Sequence, residues 1–350
     1  MPEYTGRDHV KAAFKRTFTD RVPCYPIIGL GGVAWFGVKP RDFLKDPKVL
    51  AETIVHYHEQ FEPDIAVLMT DLLMEAEAIG TEVEFPEDTG GQVRKYVLED
   101  KTNLSKLKVP DAKKDARFPY YLGGLQRVME VVKDAPASAN CVGPWSIAGS
   151  LRGLDTLILD TFDDPDWVHE LMKFTTSVVK QVTSAIKDAG AGLGFSEAAC
   201  SCSVISPDVY RTFVKPYHSD LVNYFKERKA GLTLHICGYV DPIMEDLVDV
   251  GLAGLSIDAL SSLEKMMEIA QKNVVVIGNV DVKILAEGTK EDVQREVRRC
   301  IDTAAKYSAY ILSTSCEVSP GTPIENVEYM MKVAKEYGQY RSLGIEVPQA

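Results

Sequence analysis

One histidine and two cysteines are the residues of this chain whose types and spacing best suit chemistry. His235 and Cys237 stand two residues apart in the segment 232–238, and Cys316 follows another apolar segment. Residues two apart on a strand project from the same face, so this imidazole and this thiol point to one place. A buried cysteine or histidine alone is more often a packing residue. One histidine with two cysteines, however, suits zinc and leaves its fourth position open, so we predict a metal site.

A second pair of cysteines offers a competing site. Cys200 and Cys202 are separated by a single residue and can bind a metal or form a redox pair, although the small residues around them also suit close packing. The chain has 7 cysteines in all. An odd number in a chain of this size argues against a disulfide framework and favours buried thiols or metal ligands.

Further polar residues stand at the ends of other apolar segments. We predict catalytic roles for four of them, as general acids or bases or as partners of the metal ligands. They are Glu197, Asp258, Asn279 and Asp281. Asp281 is equally suited to be the N-cap of the segment that follows it, and Asp71 is open to the same two interpretations.

The order of segments along the chain predicts the fold that positions these residues. Short apolar segments alternate eight times with stretches of helical period. The predicted strands are Pro23–Gly29, Pro63–Thr70, Ser138–Gly143, Gly192–Glu197, Leu232–Cys237, Gly254–Asp258, Val274–Asn279 and Ala309–Thr314. Eight strand–helix units are typical of an α/β protein of the TIM (β/α)8-barrel class, whose active site lies at the carboxyl ends of the strands. A doubly wound open sheet is the alternative, but no Gly-x-Gly-x-x-Gly follows the first strand.

Prolines predict where several helices begin, because proline fits the first helical position and a small polar residue before it caps the free amides. Such pairs occur at Asp164–Pro165, Ser206–Pro207, Asp241–Pro242 and Thr322–Pro323. Glu325, three residues after Thr322, completes the pattern of a capping box.

The length of 350 residues exceeds a minimal barrel of about 250. We predict a single barrel domain, residues 1–350, with the surplus in two places. An N-terminal helical extension spans residues 1–22, and its amphipathic part, Asp8–Thr19, packs outside the barrel or across its bottom. An inserted β-hairpin region spans residues 72–109, around the glycine-rich turn Asp88–Gly91.

Charge and hydropathy exclude some classes of function. The chain has 39 basic and 51 acidic residues, a formal charge of -12, which opposes binding to nucleic acid or to an anionic membrane surface. Its apolar runs are far shorter than the roughly 20 residues of a membrane span. The start, Met1 to Tyr4, lacks the layout of a signal peptide, so we expect a cytoplasmic protein.

Several segments resemble the uroporphyrinogen decarboxylase superfamily, specifically its zinc-dependent corrinoid methyltransferase branch. These segments are His235–Gly238, Gly278–Asp281, Cys316 with Pro320–Asn326, and Gly143–Trp145. The resemblance covers nearly the whole chain, and its most specific feature is the His-x-Cys with a distant cysteine. It implies a zinc ion held by these three ligands in a barrel. It also implies that a methyl group passes between a small methylated substrate and the cobalt of a separate corrinoid protein, with Gly143, Trp145 and Gly278 as contacts to the corrinoid cofactor.

The identity of the substrate follows less directly from the resemblance. Decarboxylases of the superfamily carry an arginine-rich loop after the first strand, whereas this chain has Gly29–Val33 there, which makes decarboxylation a weak alternative. Trp35, Phe36 and Trp145 suggest an apolar wall for an aromatic substrate, although ordinary loop packing explains them equally well.

We therefore expect a demethylase of methyl ethers, such as aromatic O-methyl compounds. The alternative is a methylcobalamin:thiol methyltransferase of the coenzyme M type. Thiol-methylating members of the branch carry glycine after the last cysteine, whereas Glu317 stands there in this chain, so the methyl donor and acceptor stay open. A ligand-binding barrel without catalysis is a weaker alternative, and assembly as a homodimer is left open.

Overall fold

The computed structural model describes residues 4–271 and 273–347. Ten strands alternate with helices along the chain. The strands are β1 (Cys24–Tyr25), β2 (Ala66–Leu68), β3 (Glu82–Glu84), β4 (Gln92–Lys95), β5 (Ala137–Val142), β6 (Gly192–Glu197), β7 (Thr233–Ile236), β8 (Gly254–Ile257), β9 (Val275–Ile277) and β10 (Tyr310–Ser313). Eight of them form one parallel sheet in the order β1-β10-β9-β8-β7-β6-β5-β2, while β3 and β4 pair separately as an antiparallel hairpin.

Helices surround this curled sheet. The α-helices are α1 (Gly6–Lys15), α2 (Pro40–Lys45), α3 (Pro47–Phe61), α4 (Met74–Ile79), α5 (Phe118–Val131), α6 (Pro144–Arg152), α7 (Leu154–Asp163), α8 (Pro165–Ala189), α9 (Pro207–Val209), α10 (Lys215–Glu227), α11 (Met244–Asp249), α12 (Leu263–Ala270), α13 (Val282–Glu287), α14 (Lys290–Ala304) and α15 (Ile324–Tyr337). Each of the eight predicted apolar segments overlaps one strand of the parallel sheet, so the predicted TIM barrel is confirmed. Within the described ranges, no helix is long and apolar enough to cross a membrane.

The predicted helix starts are only partly right. Helix α8 begins at Pro165 and α9 at Pro207, as the sequence predicts, but Pro242 opens only a short 3-10 helix. The predicted capping box before α15 is wrong. Pro323 is itself the N-cap residue, so Thr322 lies outside the helix, and its buried hydroxyl has no hydrogen-bond partner.

Helix α1 lies across the amino-terminal end of the barrel, one of the two positions that the sequence allows. Its side chains Val10, Ala13 and Phe14 pack against inward-facing aliphatic and aromatic residues of β1, β2, β9 and β10. A capping box between Thr5 and Asp8 fixes its first turn. The barrel interior is therefore closed at this end on the side of β1 and β2.

Asp64, just before β2, links the two ends of the sheet. Its backbone N–H donates to the carbonyl of Cys24 at 2.9 Å, and its carboxylate accepts from the Cys24 N–H at 2.7 Å. The same carboxylate pairs with both terminal nitrogens of Arg21, at 2.7 and 2.9 Å. The side chain of Asp64 is only 3% exposed, so this pair is a largely desolvated ion pair that joins β1 to β2.

We expect Asp64→Ala to lower the free energy of unfolding by about 3–5 kcal/mol, because it leaves Arg21 buried without its partner. Urea denaturation followed by circular dichroism measures the change. Glu52→Ala is the control, since Glu52 forms an exposed i,i+4 pair with Lys48 whose loss costs within about 0.5 kcal/mol. Equal effects of the two substitutions would contradict a structural role for Asp64.

Candidate metal centre

The structure brings the three predicted metal ligands together at the carboxyl end of the barrel. His235 lies in β7, Cys237 follows that strand, and Cys316 follows β10. The Nε2 atom of His235 lies 3.2 Å from the Sγ of Cys237, which lies 3.6 Å from the Sγ of Cys316. All three ligand atoms lie within 4.8 Å of one another. His235 is buried and the two cysteines are partly exposed, so the cluster is open on the side of the thiols.

These distances suit a zinc ion. Tetrahedral bonds of about 2.3 Å to sulfur and about 2.0 Å to nitrogen would place two sulfurs ~3.8 Å apart and a sulfur and a nitrogen ~3.5 Å apart. The observed separations of 3.6 and 3.2 Å are within a few tenths of an ångström of those values. Three protein ligands leave the fourth position to water or substrate, as in catalytic zinc sites.

Ser256 orients the imidazole and is a residue that the sequence analysis missed. Strand β8 pairs with β7 so that Ser256 stands opposite His235, and the hydroxyl lies 2.9 Å from Nδ1. A partner on one ring nitrogen fixes the tautomer and leaves the other nitrogen for a metal. The only signal in the sequence is a hydroxyl at an inward position of the predicted strand Gly254–Asp258.

The two thiols of the cluster are not equivalent. The pKa of Cys316 is lowered to about 4, because the Cys237 thiol donates a hydrogen bond to it and His235 lies close by. The pKa of Cys237 is raised, because its proton is held against the neighbouring Cys316 sulfur and because the site is largely desolvated. The lowered pKa favours the thiolate form of Cys316, which is the form that binds metals.

Glu317, directly after Cys316, ties the last loop of the barrel to the first. Its carboxylate accepts a hydrogen bond from the Gly31 N–H at 2.9 Å. Burial raises its pKa to about 7. A Cβ atom on Gly31 would lie 1.7 Å from the carbonyl oxygen of Val318, so the glycine-rich first loop allows this close approach.

Glu197, predicted to be catalytic, is instead enclosed at the start of α6. Its two oxygens accept from the backbone N–H groups of Trp145 and Ser146, at 3.1 and 2.9 Å, and from the Ser146 hydroxyl at 2.6 Å. The Nε2 of His218 lies 3.1 Å from Oε1. The residue is completely buried, and its charge faces the positive end of a helix. These contacts hold α6 and β6 together, and a catalytic role for Glu197 stays a prediction.

The competing cysteines also take structural positions. Cys200 lies within 4.8 Å of Glu197 and His218, a group that could in principle hold a metal. The oxygens of Glu197 are already occupied by the donors described above, and complete burial raises the pKa of Cys200 well above its usual value. Cys202 is partly exposed and belongs to the same loop. Its backbone N–H donates to the carbonyl of Tyr239 at 2.8 Å. The packing interpretation is therefore favoured for both.

Two of the other three predicted catalytic residues, Asp258 and Asn279, support the loops around the predicted metal ligands. The carboxylate of Asp258 accepts from the N–H of Gly238 at 3.0 Å, so it positions the residue after Cys237. The amide of Asn279 donates to the carbonyls of Asp258 and Ser261 at 3.2 and 3.1 Å. These two residues act on the site through the backbone.

Asp281 takes the N-cap role that the sequence left open. Its carboxylate accepts from the N–H of Lys283 at 2.8 Å, at the start of α13. The geometry supports the N-cap role, and a catalytic role for Asp281 stays a prediction.

The three residues predicted to touch a corrinoid are buried. Trp145 has no exposed surface, and its indole N–H donates to the carbonyl of Ala199 at 3.0 Å. A Cβ on Gly143 would lie 2.4 Å from the Glu197 carboxyl, so this glycine permits that contact. Gly278 has a φ of +129° and lies close to the carbonyl of Ile257. These positions maintain the fold, and a docking protein would not reach their side-chain positions.

The predicted aromatic wall does not line the metal centre either. The indole N–H of Trp35 donates to the carbonyl of Thr322 at 2.8 Å, and its ring meets Tyr57 and Phe61 edge to face. Phe36 packs against Tyr57 as well. Loop packing, the alternative that the sequence left open, is what the structure shows.

Asp71, for which the sequence left two interpretations open, belongs to a largely buried ionic group just after β2. Arg117 donates to Asp71 at 3.1 Å and to Glu77 at 2.5 Å, and the Asp71 carboxylate also accepts from the N–H of Leu73 at 2.9 Å. Glu75 next to this group is buried, and desolvation raises its pKa to about 7. Arg117 lies 40 and 46 residues from Glu77 and Asp71, so no local motif reveals this pairing.

Comparisons with known proteins extend these observations. The chain is 24% identical over 344 residues to the methylcobamide:CoM methyltransferase MtbA of Methanosarcina acetivorans, covering 96% of this chain and 99% of that protein. It is 26% identical over 295 residues to a methylated-thiol–coenzyme M methyltransferase of Methanosarcina mazei, covering 83% and 77%. It is also 25% identical over 310 residues to the uroporphyrinogen decarboxylase of Xylella fastidiosa, covering 83% and 85%.

A solved methyltransferase from Methanosarcina mazei has the same fold. It superposes with a TM-score of 0.85, at 23% identity, over 96% of this chain and 99% of its own. The relatives confirm that the protein is an enzyme. The model of the uroporphyrinogen decarboxylase (URO-D) family matches residues 5–337, nearly the whole chain. The chain belongs to the uroporphyrinogen decarboxylase family, as the sequence motifs around the metal ligands indicate.

Proposed function

We propose that this protein is a zinc-dependent methyltransferase that moves a methyl group from the cobalt of a corrinoid protein to a thiol. The observation that supports this most directly is the cluster of His235, Cys237 and Cys316, with ligand atoms within 4.8 Å of one another. The acceptor is inferred from relatives whose names describe methyl transfer from methylcobamide or methylated thiols to coenzyme M.

A thiol acceptor replaces the methyl ether that the sequence favoured. The ether hypothesis depended on an aromatic wall formed by Trp35, Phe36 and Trp145, whose rings are instead engaged in loop and core packing. Methyl transfer to a thiol needs no such wall. The reaction is balanced without an oxidant: the methyl group leaves the cobalt, which keeps the bonding electron pair, and the proton of the thiol goes to solvent.

Different residues of the chain have separate roles at such a site. Bound zinc would supply a positive charge that lowers the pKa of a thiol at its open position. Ser256 holds the His235 ring with Nε2 directed at the cysteines, and Asp258 holds the loop that carries Cys237. The lowered pKa of Cys316 makes the release of its proton easier when a metal binds.

Decarboxylation is less well supported than methyl transfer. The substrate of such an enzyme carries several carboxylates, which require cationic partners. The first loop and its 3-10 helix, Leu30–Phe36, contain no arginine or lysine. Arg117, near the second loop, is already paired with Asp71 and Glu77.

Removing one ligand tests the zinc site. We expect Cys237→Ala to lose bound zinc and to lower methyl transfer at least 100-fold, because two ligands no longer hold the ion. Zinc is measured by plasma emission spectrometry and activity by loss of the methylcobalamin absorbance. Cys202→Ala is the matched control and keeps both properties. Full activity of a zinc-free Cys237→Ala protein would contradict the proposal, and a wild type without zinc would favour a barrel that only binds a ligand.

The contact between Ser256 and His235 gives a subtler test. We expect Ser256→Ala to weaken zinc binding by about 10–100-fold, the usual effect of removing the partner of a metal-binding histidine. Competition with a chromophoric chelator measures the affinity. Ser177→Ala, on the exposed face of α8, serves as the control and leaves it unchanged. An unchanged affinity in Ser256→Ala would show that the hydroxyl does not orient the ring.

The direction of transfer is tested with free cobalamin. With methylcobalamin and a panel of small thiols, we expect zinc-loaded protein to speed demethylation of the cobalt and to form a thioether. With reduced cobalamin and methoxybenzenes, we expect no methylation of the cobalt above the rate of Cys237→Ala. The opposite pattern, methylation of the cobalt by ethers and no reaction with thiols, would restore the demethylase hypothesis.

A further inference from the structure

The lower half of the barrel contains a cavity of about 270 Å³ that lies on the opposite side of His235 from the two cysteines. It extends from α1 at the amino-terminal end of the barrel up to His235 and Ser256. Neither Cys237 nor Cys316 lines it. We call this space the lower pocket.

The lower pocket has two different walls. One wall is apolar and comes from the inward side chains of β1, β2 and β9 and of the residues beside them. It consists of Tyr25, Ile27, Ile65, Val67, Met69 and Ile277. The facing wall comes from β5 to β8 and consists mostly of small or polar residues. It includes Ser138, Asn140, Gly192, Thr233 and Ser256.

Small residues on the second wall explain why the space exists. In most TIM barrels, layers of bulky branched side chains fill the interior. Here Gly192 begins β6, Gly254 begins β8, and Gly231 and Ala253 precede β7 and β8. A cavity in a barrel core loses packing contacts, so a cavity lined on one side largely by small or polar residues suggests a binding role.

The lower pocket is open to solvent at the amino-terminal end. Gly192 and Gly231 are exposed at its rim, and the inward-facing Ser138 and Thr233 are partly exposed. Helix α1 covers the other part of this end through Val10 and Phe14. A small molecule can therefore enter without passing the metal centre at the carboxyl end.

The chemistry of the walls defines the ligand. Within the part of the chain that the structure describes, no Asp, Glu, Lys or Arg lines the pocket, and the His235 imidazole is the single ionisable group apart from Tyr25. A dry apolar cavity of about 150 Å³ is large enough for benzene, so 270 Å³ suits a ring with a substituent. We propose that the lower pocket binds a small uncharged aromatic molecule, with its ring against the aliphatic wall and one polar group toward Ser138, Asn140 or Thr233.

This site is separate from the proposed methyl transfer and does not depend on it. Binding requires neither zinc nor a corrinoid, because the cysteine ligands lie outside the pocket. Since His235 and Ser256 form its upper end, a bound ring would lie against the imidazole that the metal uses.

Calorimetry and saturation-transfer NMR with phenol and methoxybenzene test the site, on zinc-loaded and zinc-stripped protein. We expect one binding site per chain in both forms, and benzoate binding at least tenfold more weakly than phenol because the pocket offers no cation. Ser138→Leu fills the space and should weaken binding of the neutral probes at least tenfold. Ser177→Leu, on the exposed face of α8, is the matched control and should bind as the wild type does.

Val67→Phe fills the opposite wall and replaces Ser138→Leu if that variant does not fold. No binding of either neutral probe at millimolar concentration, or equal binding by the filled and control variants, would overturn the proposal. So would equal affinity for benzoate and phenol. Loss of thiol methylation with intact probe binding would contradict the proposed function alone, whereas absent probe binding with normal methylation would contradict this inference alone.

Discussion

The pairing register of β6, β7 and β8 is the constraint on which the candidate metal centre depends. It aligns Ser196, His235 and Ser256 in one row across three parallel strands. All three side chains then share the interior face of the barrel, because residues in register point the same way. A shift of one residue in β7 would turn His235 toward the helices and bring Leu234 inside. Ordinary strand pairing therefore sets both the direction of the imidazole and the partner that orients it.

Much of this arrangement follows from sequence because it depends on local periodicity. The alternation of strands and helices predicts the barrel, and the two-residue spacing of His235 and Cys237 predicts their common face. Cys316 is then expected near His235 and Cys237, since the carboxyl ends of all the strands lie at the same end of the barrel. These inferences need only the period of a strand and the closure of the sheet, and the sulfur atoms indeed lie 3.6 Å apart.

The enclosed position of Glu197 has a physical explanation in the same periodicity. Ser196 pairs with His235 and faces inward, so the next residue, Glu197, pairs with Ile236 and faces the helices. A carboxylate at the end of a strand therefore does not always face the barrel interior. Side chains alternate between the two faces of a strand, so its face is known only by counting from a residue that points inward. Ser256 is the converse case. An unremarkable serine in a short strand becomes important through a neighbouring strand 21 residues away, which no local pattern reveals.

The difference in packing between the two sides of the barrel interior explains why His235 needs the hydroxyl of Ser256. Bulky side chains of β1, β2, β9 and β10 pack with α1 and stiffen one side, whereas glycine and small polar residues line the other side, where His235 lies. A ring with a cavity on one side lacks the close packing that usually fixes a core side chain. Its orientation must then come from directional bonds, and Ser256 on Nδ1 supplies one within 2.9 Å. The small residues on β5 to β8 therefore have two consequences. They leave an open space in the barrel, and they leave His235 dependent on a hydrogen bond for its orientation.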